Sequence, residues 1–555
     1  MTDTTEIVII GAGIAGLSAG CYAQMCGYQT RIFEQNSIPG GLCASQTHQG
    51  YTFDSGLYAF LGIAPGQPFY QVWKELGVIS ACQFLRRNEF IRITDTCDQT
   101  LVVHADPERL ESHLKIISPQ DAGLIEDFCA GVRRFMSFDL SLLQHKPKAL
   151  MNGGDWARLG RRVLPFARPM AKWGGVALGE FAQRFQSPFL RRAIAQLVAL
   201  PSMPVMVAMA MLAYNANGNL GIPAEGAGQI ADTIAARYQA LGGQIQYNAT
   251  VSQILVNQDR AVGVRLGDGG VYHSDRVIAA GDGYHTLFKL LAGQYPHRSL
   301  TQLYQNPDLT QTRLQVTLGL NQDLADQPIW TTHLLSEPLA IAGEFHQEFN
   351  VRHYSHARTL SPPGKSIVAL SLSTRHPNWE NLSDSAQRSA IAPLLDQFMQ
   401  RYSVAADSID CLKITTPYSY SQQTSNWQGS ICGWALSKET LPLMVKGISK
   451  TLSPLKGLHL AGQWVEPGGS LPVVALSGRN AVRLICTDVV RPFLFDAFQS
   501  YLGSCSWVSS TAASESPLLS VCSDAVSDSV PDAAFAFSRS ARFLRSAAKI
   551  SFNTA

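Results

Sequence analysis

The chain has 555 residues, 46% of them apolar and only 15% charged, with a formal charge of +2. That length exceeds what a single hydrophobic core serves and implies several domain-sized units, and a near-neutral balance with no dense Lys/Arg block before the C-terminal tail excludes nucleic acid as the expected partner. Eleven scattered cysteines, odd in number and without a Cys-x-x-Cys pair, exclude a disulfide framework and a zinc site and point to reduced thiols in a cytoplasmic setting.

The first residues, MTDTTE, carry two acids and no basic residue, so the apolar run behind them is not expected to be a secretory signal. Residues 6–10, EIVII, predict a buried parallel strand, and GAGIAG follows at once, with Gly11, Gly13 and Gly16 in G-x-G-x-x-G spacing. The first glycine allows a tight turn, the second lets a pyrophosphate approach the backbone, and the third packs helix on strand. The small, apolar residues to Met25 predict a helix stopped at Gly27. A second strand, TRIF, ends at Glu34, 23 residues after Gly11, where a carboxylate accepts hydrogen bonds from ribose hydroxyls and repels a 2′-phosphate. The ligand is a dinucleotide, NAD or FAD.

Next comes SIPGGLCASQTHQGYTFDSGLYAFLG, a Pro39-Gly40-Gly41 turn and a hairpin-like alternation through Tyr51 and Phe53 to Asp54-Ser55-Gly56. This stretch resembles the N-terminal part of the FAD-containing amine oxidase and phytoene desaturase superfamily, and the resemblance implies FAD. It departs from the superfamily pattern at Leu42, where many members carry a basic residue.

Farther along, LVALPSMPVMVAMAMLAY (Leu197–Tyr214) has no charge and the length of a membrane span, but Pro201 and Pro204 would break a spanning helix early. A buried helix or channel wall is expected, with a membrane-dipping surface as the other reading. Methionines 203, 206, 209 and 211 offer an adaptable apolar lining or ordinary core packing.

GIPAEGAGQIADTIAARYQALGGQIQYNATVSQILV predicts an amphipathic helix over Ala227–Ala240, a stop at Gly242-Gly243 and a strand in QIQY. It resembles the superfamily's second cofactor segment, in which Val251 would meet the adenine side by backbone groups; Glu225 stands where glycine is more usual. A hairpin around Gly267–Gly270, the strand RVIAAG and a helix after Asp282 follow. SPPGKSIVALSLST, GSICGW, GQWVEPGG and LPVVALSGR resemble most the branch containing phytoene desaturases, carotenoid isomerases and retinol saturases.

Gly462–Arg479 (GQWVEPGGSLPVVALSGR) reads as a strand end, a Pro467-Gly468-Gly469 turn and a helix beginning near Gly468 or Gly469. In the resembled fold its N-terminal amides point at the flavin ring, where a positive helix end favours negative charge on the reduced ring. Gln463 occupies the place of a common acid that binds the ribityl chain. Both ends of the chain thus serve one ligand.

The resemblance implies an α/β fold: a Rossmann-type FAD-binding domain with an interleaved α+β substrate-binding domain. The expected segments are 1–85, 216–290 and 424–490 for FAD, 86–215 (helical) and 291–423 for substrate, and 491–555 as a flexible serine-rich linker and basic tail. The expected cofactor-binding residues are Gly11, Gly13, Ala15, Gly16, Glu34, Gly40, Gly41, Leu42, Val251, Gly462, Gln463, Gly468, Gly469 and Leu471. No catalytic acid or base is assigned; Trp464 and Glu466 are the candidates nearest the flavin by motif. His333, His346, His353 and His356 show no metal-ligand spacing, and no metal is expected.

The implied activity is FAD-dependent desaturation, saturation or cis–trans isomerisation of a long hydrophobic polyene or isoprenoid. Two other readings are another amine oxidase-like flavin oxidase and a non-enzymatic escort-like carrier of prenyl lipids, which needs no flavin-edge turn. In the tail, Arg539, Arg542, Arg545 and Lys549 fall at 3-3-4 spacing, compatible with a basic helix on an anionic membrane or with a disordered end.

Overall fold

Ile7–Ile10 form the central strand of a five-stranded parallel sheet because both of its faces are covered, so the run carries no polar alternation. The strand order is Gln244–Gln246, Thr30–Phe33, Ile7–Ile10, Arg276–Ala279, Leu458–Leu460. Ile7, Ile9, Ile32 and Ile278 point to one face, against the helices Ile14–Met25, Gly228–Ala240 and Leu471–Asp488. Val8, Phe33, Val277 and Ala279 point to the other, against a three-stranded antiparallel sheet of Val251–Asn257, Arg260–Leu266 and Val271–His273. The computed structural model describes residues 6–54, 59–324 and 326–493, which belong to a unit ending at Asp496. Ser55 and Gly56, and the tail beyond Phe493 with its four basic residues, lie outside the described residues.

The helix expected over Ala227–Ala240 runs from Gly228 to Ala240, and the one after Asp282 is Gly283–His285 followed by a π-helical turn over Thr286–Leu290. The C-terminal helix starts at Leu471 rather than at Gly468 or Gly469, because both glycines have positive φ (+95° and +50°) and complete the turn. The charge-free Leu197–Tyr214 stretch gives a buried twelve-residue helix, Val205–Ala216, entered through Pro204. Among the described residues no helix is long and apolar enough to cross a membrane.

The other large sheet has seven strands, in the order Ile409–Thr415, Arg313–Leu320, Ser366–Ser373, Glu344–His353, Trp330–Ile341, Glu89–Thr94, Thr100–His104. Its last two strands lie in the 86–215 segment, for which helices were expected. EFIRIT alternates strongly enough for a strand, and its parallel pairing with Trp330–Ile341 ties the helical segment to the distant sheet. The sheet face carrying Leu314, Val316, Leu318, Leu370 and Val351 packs on the helix Asp384–Tyr402.

Of His333, His346, His353 and His356, His333 and His353 are buried, and the His333 ring nitrogen Nε2 lies 2.9 Å from the Tyr402 hydroxyl. Burial pushes His333 down to about 3, with Arg401 and His353 adding to the effect, and burial alone pushes His353 to about 4. Both therefore stay neutral in the folded chain while the unfolded chain takes up protons below its ordinary histidine pKa of about 6.5. Stability is full above that value and falls as the pH drops from about 6.5 towards 4, by about 1.4 kcal/mol per pH unit for each histidine. Denaturant unfolding at a series of pH values measures this slope, and the double variant His333→Phe/His353→Phe is expected to flatten it.

Candidate cofactor and substrate site

The N-terminal turn is built for a close approach. A side chain added at Gly16 would place its Cβ 1.9 Å from the Gly11 carbonyl, so the third glycine is a packing requirement. A Cβ at Gly13 would meet nothing within 4 Å, and this side of the turn faces the cavity. Glu34, 5% exposed, closes the turn from below: one carboxylate oxygen accepts the Ala12 N–H (2.7 Å), the other the backbone and side-chain N–H groups of Asn36 (both 2.9 Å). The acid at the strand end therefore orients the glycine turn from inside the cavity wall. Gly40 donates its N–H to Ala12 O (2.9 Å), which clamps the Pro-Gly-Gly turn onto the first one.

The C-terminal motif enters the same space. Gly462, at φ +106°, donates to Ser477 Oγ (2.9 Å), while the side chains of Gln463 and Trp464 both donate to Asn426 Oδ1 (3.2 and 3.0 Å). Gly469 has no room for a side chain, since its Cβ would fall 2.1 Å from Cys432 O. The helix behind it carries no side-chain cap at Ser470 and has Pro472 in its first turn, so its N-terminal end is presented to the cavity through Leu471 and Val473.

One cavity of about 490 Å³ joins these parts. Its wall contains Gly11, Gly13, Ala15, Glu34, Gly40, Gly41, Leu42, Val251, Gly462, Gln463, Trp464, Gly468, Gly469 and Leu471. Gly16 stands behind the wall, in its packing role. Glu466 is not in the wall: it is buried in an ion pair with Lys450 (2.5 Å), which corrects its candidacy as a proton partner at the flavin. Its pairing partner lies 16 residues away, at a distance no local pattern reveals.

Sequence reasoning passed over Asp282, which also lines the cavity. Its two carboxylate oxygens accept the N–H groups of His285 (2.6 Å) and Trp427 (2.9 Å), joining the helix start at Gly283 to the returning 424–429 segment. Burial raises its pKa to about 7, against the opposing pull of those amides. An aspartate immediately before a helix was the available sign, read there only as a helix start. Among the described residues no group of His, Cys, Asp and Glu is placed to hold a metal ion.

The cavity, with a glycine turn whose backbone is open to it, a buried acid at the end of the next strand and an uncapped helix end in its wall, fits FAD. Comparison with known proteins agrees. The model of the family described as flavin containing amine oxidoreductase matches residues 14–486. The lycopene-forming phytoene desaturase of Pseudescherichia vulneris is 23% identical over 529 residues, covering 87% of this chain and 99% of that protein. The chloroplastic prolycopene isomerase of Arabidopsis thaliana is 20% identical over 501 residues, covering 87% of this chain and 83% of that one. In three dimensions the chain is similar to wild-type putrescine oxidase bound to putrescine, with a TM-score of 0.53 at 16% identity over 87% of this chain and 99% of the other.

Two substitutions probe the cavity wall and the ion pair behind it. Glu34→Ala is expected to purify with less flavin than the wild type, read from the ratio of visible to protein absorbance; full occupancy would contradict the ribose assignment. Glu466→Leu strands Lys450 in the interior and is expected to destabilise the fold by about 3–5 kcal/mol in denaturant titrations. At temperatures where that variant stays folded, its flavin spectrum is expected to be unchanged.

Proposed function

Because the chain belongs to the flavin containing amine oxidoreductase family, we propose that it acts on a long hydrophobic polyene or isoprenoid of carotenoid or retinoid type, by desaturation, saturation or cis–trans isomerisation. At the coarser level it is a flavin oxidoreductase and its cofactor is FAD. The finer reading is supported by one observation above all: the cavity that begins at the nucleotide turn continues without a break into a chamber walled by Val198, Leu200, Met203, Val207, Ala210 and Met211. The names of the desaturase and isomerase relatives point the same way.

Bound FAD supplies hydride acceptance and donation. The protein's part is to hold and to exclude. Gly13 and Gly41 would leave the backbone open to the pyrophosphate, Glu34 would take the ribose, and Gln463 would offer an uncharged hydrogen bond to the ribityl chain. The Leu471 helix end would stabilise negative charge on the bound cofactor. Trp464 is fixed by Asn426 and lines the cavity, where it would pack against the bound cofactor. The helix wall excludes water and keeps an apolar chain extended. Entry of such a substrate from a membrane surface belongs to the same reading, with the chain resting on the membrane rather than crossing it.

The visible spectrum of the purified protein, with the released cofactor identified after denaturation, is the first test, and FAD is expected. Anaerobic mixing of the oxidised or the reduced protein with phytoene-like and retinoid polyenes follows. A change in flavin absorbance together with a shifted polyene spectrum supports the reading, whereas turnover of amines alone would replace it with an amine oxidase.

A further inference from the structure

A cofactor walled in by both ends of the chain enters or leaves only if some part of that wall moves. Most of the framework cannot supply the motion. The parallel sheet is covered on both faces, and Gly16 and Gly469 are pressed against backbone carbonyls. One stretch differs. Gln422 and Gln423 are exposed and lie outside the cavity, while the next three residues, Thr424, Ser425 and Asn426, line it. Gln35 and Asn36, half-buried, line the cavity beside them. The chain thus passes from outer surface to cavity wall within one residue.

This stretch is tied down unequally at its two ends. Gln423 lies in the last turn of the helix Pro417–Thr424, so its carbonyl has no partner inside the helix. Gln35 Nε2 (2.9 Å) and Asn36 Nδ2 (3.3 Å) donate to it from the loop after Glu34. Ser425, which ends the helix at φ +56°, donates its hydroxyl to Gln35 Oε1 (3.3 Å). These bonds join neutral groups at or near the surface, where water replaces a lost partner.

One residue farther on, the ties are to buried groups. Asn426 Oδ1 receives the side chains of Gln463 and Trp464, and the Trp427 N–H is held by the Asp282 carboxylate (2.9 Å). The Trp427 ring packs 5.0 Å from that of Tyr304. Parting this end leaves buried polar groups without partners, which costs far more than wetting the outer bonds. The stretch therefore opens from Gln423 and pivots at Asn426 and Trp427. Glu34 adjoins the fastening, because the Asn36 amide that donates to Gln423 also donates to its carboxylate (2.9 Å).

We propose that residues 423–425 are a latch over the nucleotide end of the cavity, fastened by Gln35 and Asn36, and that FAD enters and leaves when the latch swings open. The proposal rests on the FAD assignment and adds to it the route by which the cofactor is exchanged.

The test compares the full-length FAD-loaded protein with its Gln35→Ala variant, which loses two of the three fastening bonds and keeps Glu34 and Asn36. Release is followed after dilution by the visible absorbance that stays with the protein, and uptake by rapid mixing of flavin-stripped protein with FAD. A looser latch speeds both directions alike: each rate is expected to rise about tenfold, with the dissociation constant changed less than about threefold. Hydrogen exchange over residues 418–425 is expected to quicken, while that over residues 462–471 stays the same. Ser425→Gly carries the test where Gln35→Ala fails to fold; it loses one fastening bond, glycine takes the positive φ without strain, and each rate is expected to rise about threefold. Faster release with unchanged uptake makes Gln35 a direct contact of the cofactor and overturns the latch, leaving the FAD assignment in place. Unchanged rates, or unchanged exchange over residues 418–425, overturn the latch as well. A protein that takes up no FAD overturns both.

Discussion

The first and last helices of the described chain touch backbone to backbone, and the shared cofactor site depends on it. A Cβ at Gly478 would lie 2.2 Å from the Ala15 carbonyl and 2.8 Å from the Ala19 N–H, so any larger residue there pushes the two helices apart. Ser18 Oγ adds a 2.7 Å hydrogen bond to Ala475 O across the same seam. With the seam closed, Leu458–Leu460 completes the parallel sheet beside Arg276–Ala279, and the Gly462–Gly469 segment faces the N-terminal turn. One cavity is then lined by residues more than 400 positions apart.

Around this seam the loops are pinned by a few buried carboxylates, each satisfied differently. Glu34 is held by amides of the turn it supports, Asp282 by amides of two segments that meet only in the folded chain, and Glu466 by a lysine. A buried carboxylate without partners costs several kcal/mol, so each ties its loops to a single arrangement. That fixity suits a redox site, where hydride transfer requires the reacting atoms to be held at short range.

The substrate half follows a different rule. Its sheet spends its apolar face on the helix Asp384–Tyr402 and turns a polar face towards the chamber, while Val205–Ala216 and the residues before it line the opposite side with flexible apolar groups. A ligand in that space meets a hydrocarbon-like wall and a hydrogen-bonding one together, and both contribute to selection.

The strands EIVII and TRIF, the three glycines, Glu34, the Pro-Gly-Gly turns and the helices behind them were legible because each is a local pattern with a local cause: periodicity, positive φ, or a fixed spacing from turn to acid. Apart from Gly16, the residues those patterns single out line one cavity in the fold. Where local cues were read more loosely, the result shifted: the last helix starts two residues beyond its turn, and the 86–215 segment holds a strand pair among its helices. What no local pattern carried was decided by tertiary structure. Glu466 turns to Lys450, Asp282 gathers amides from a segment 145 residues away, and Arg313, Ser371 and Asn350 become one wall through pairing across strands. The sequence by itself determined the dinucleotide turn and the class of the fold, because glycine conformation and strand alternation act within a few residues. Tertiary structure alone decided which polar side chains face the chamber, because strand register and buried charge pairing are settled only when distant segments meet.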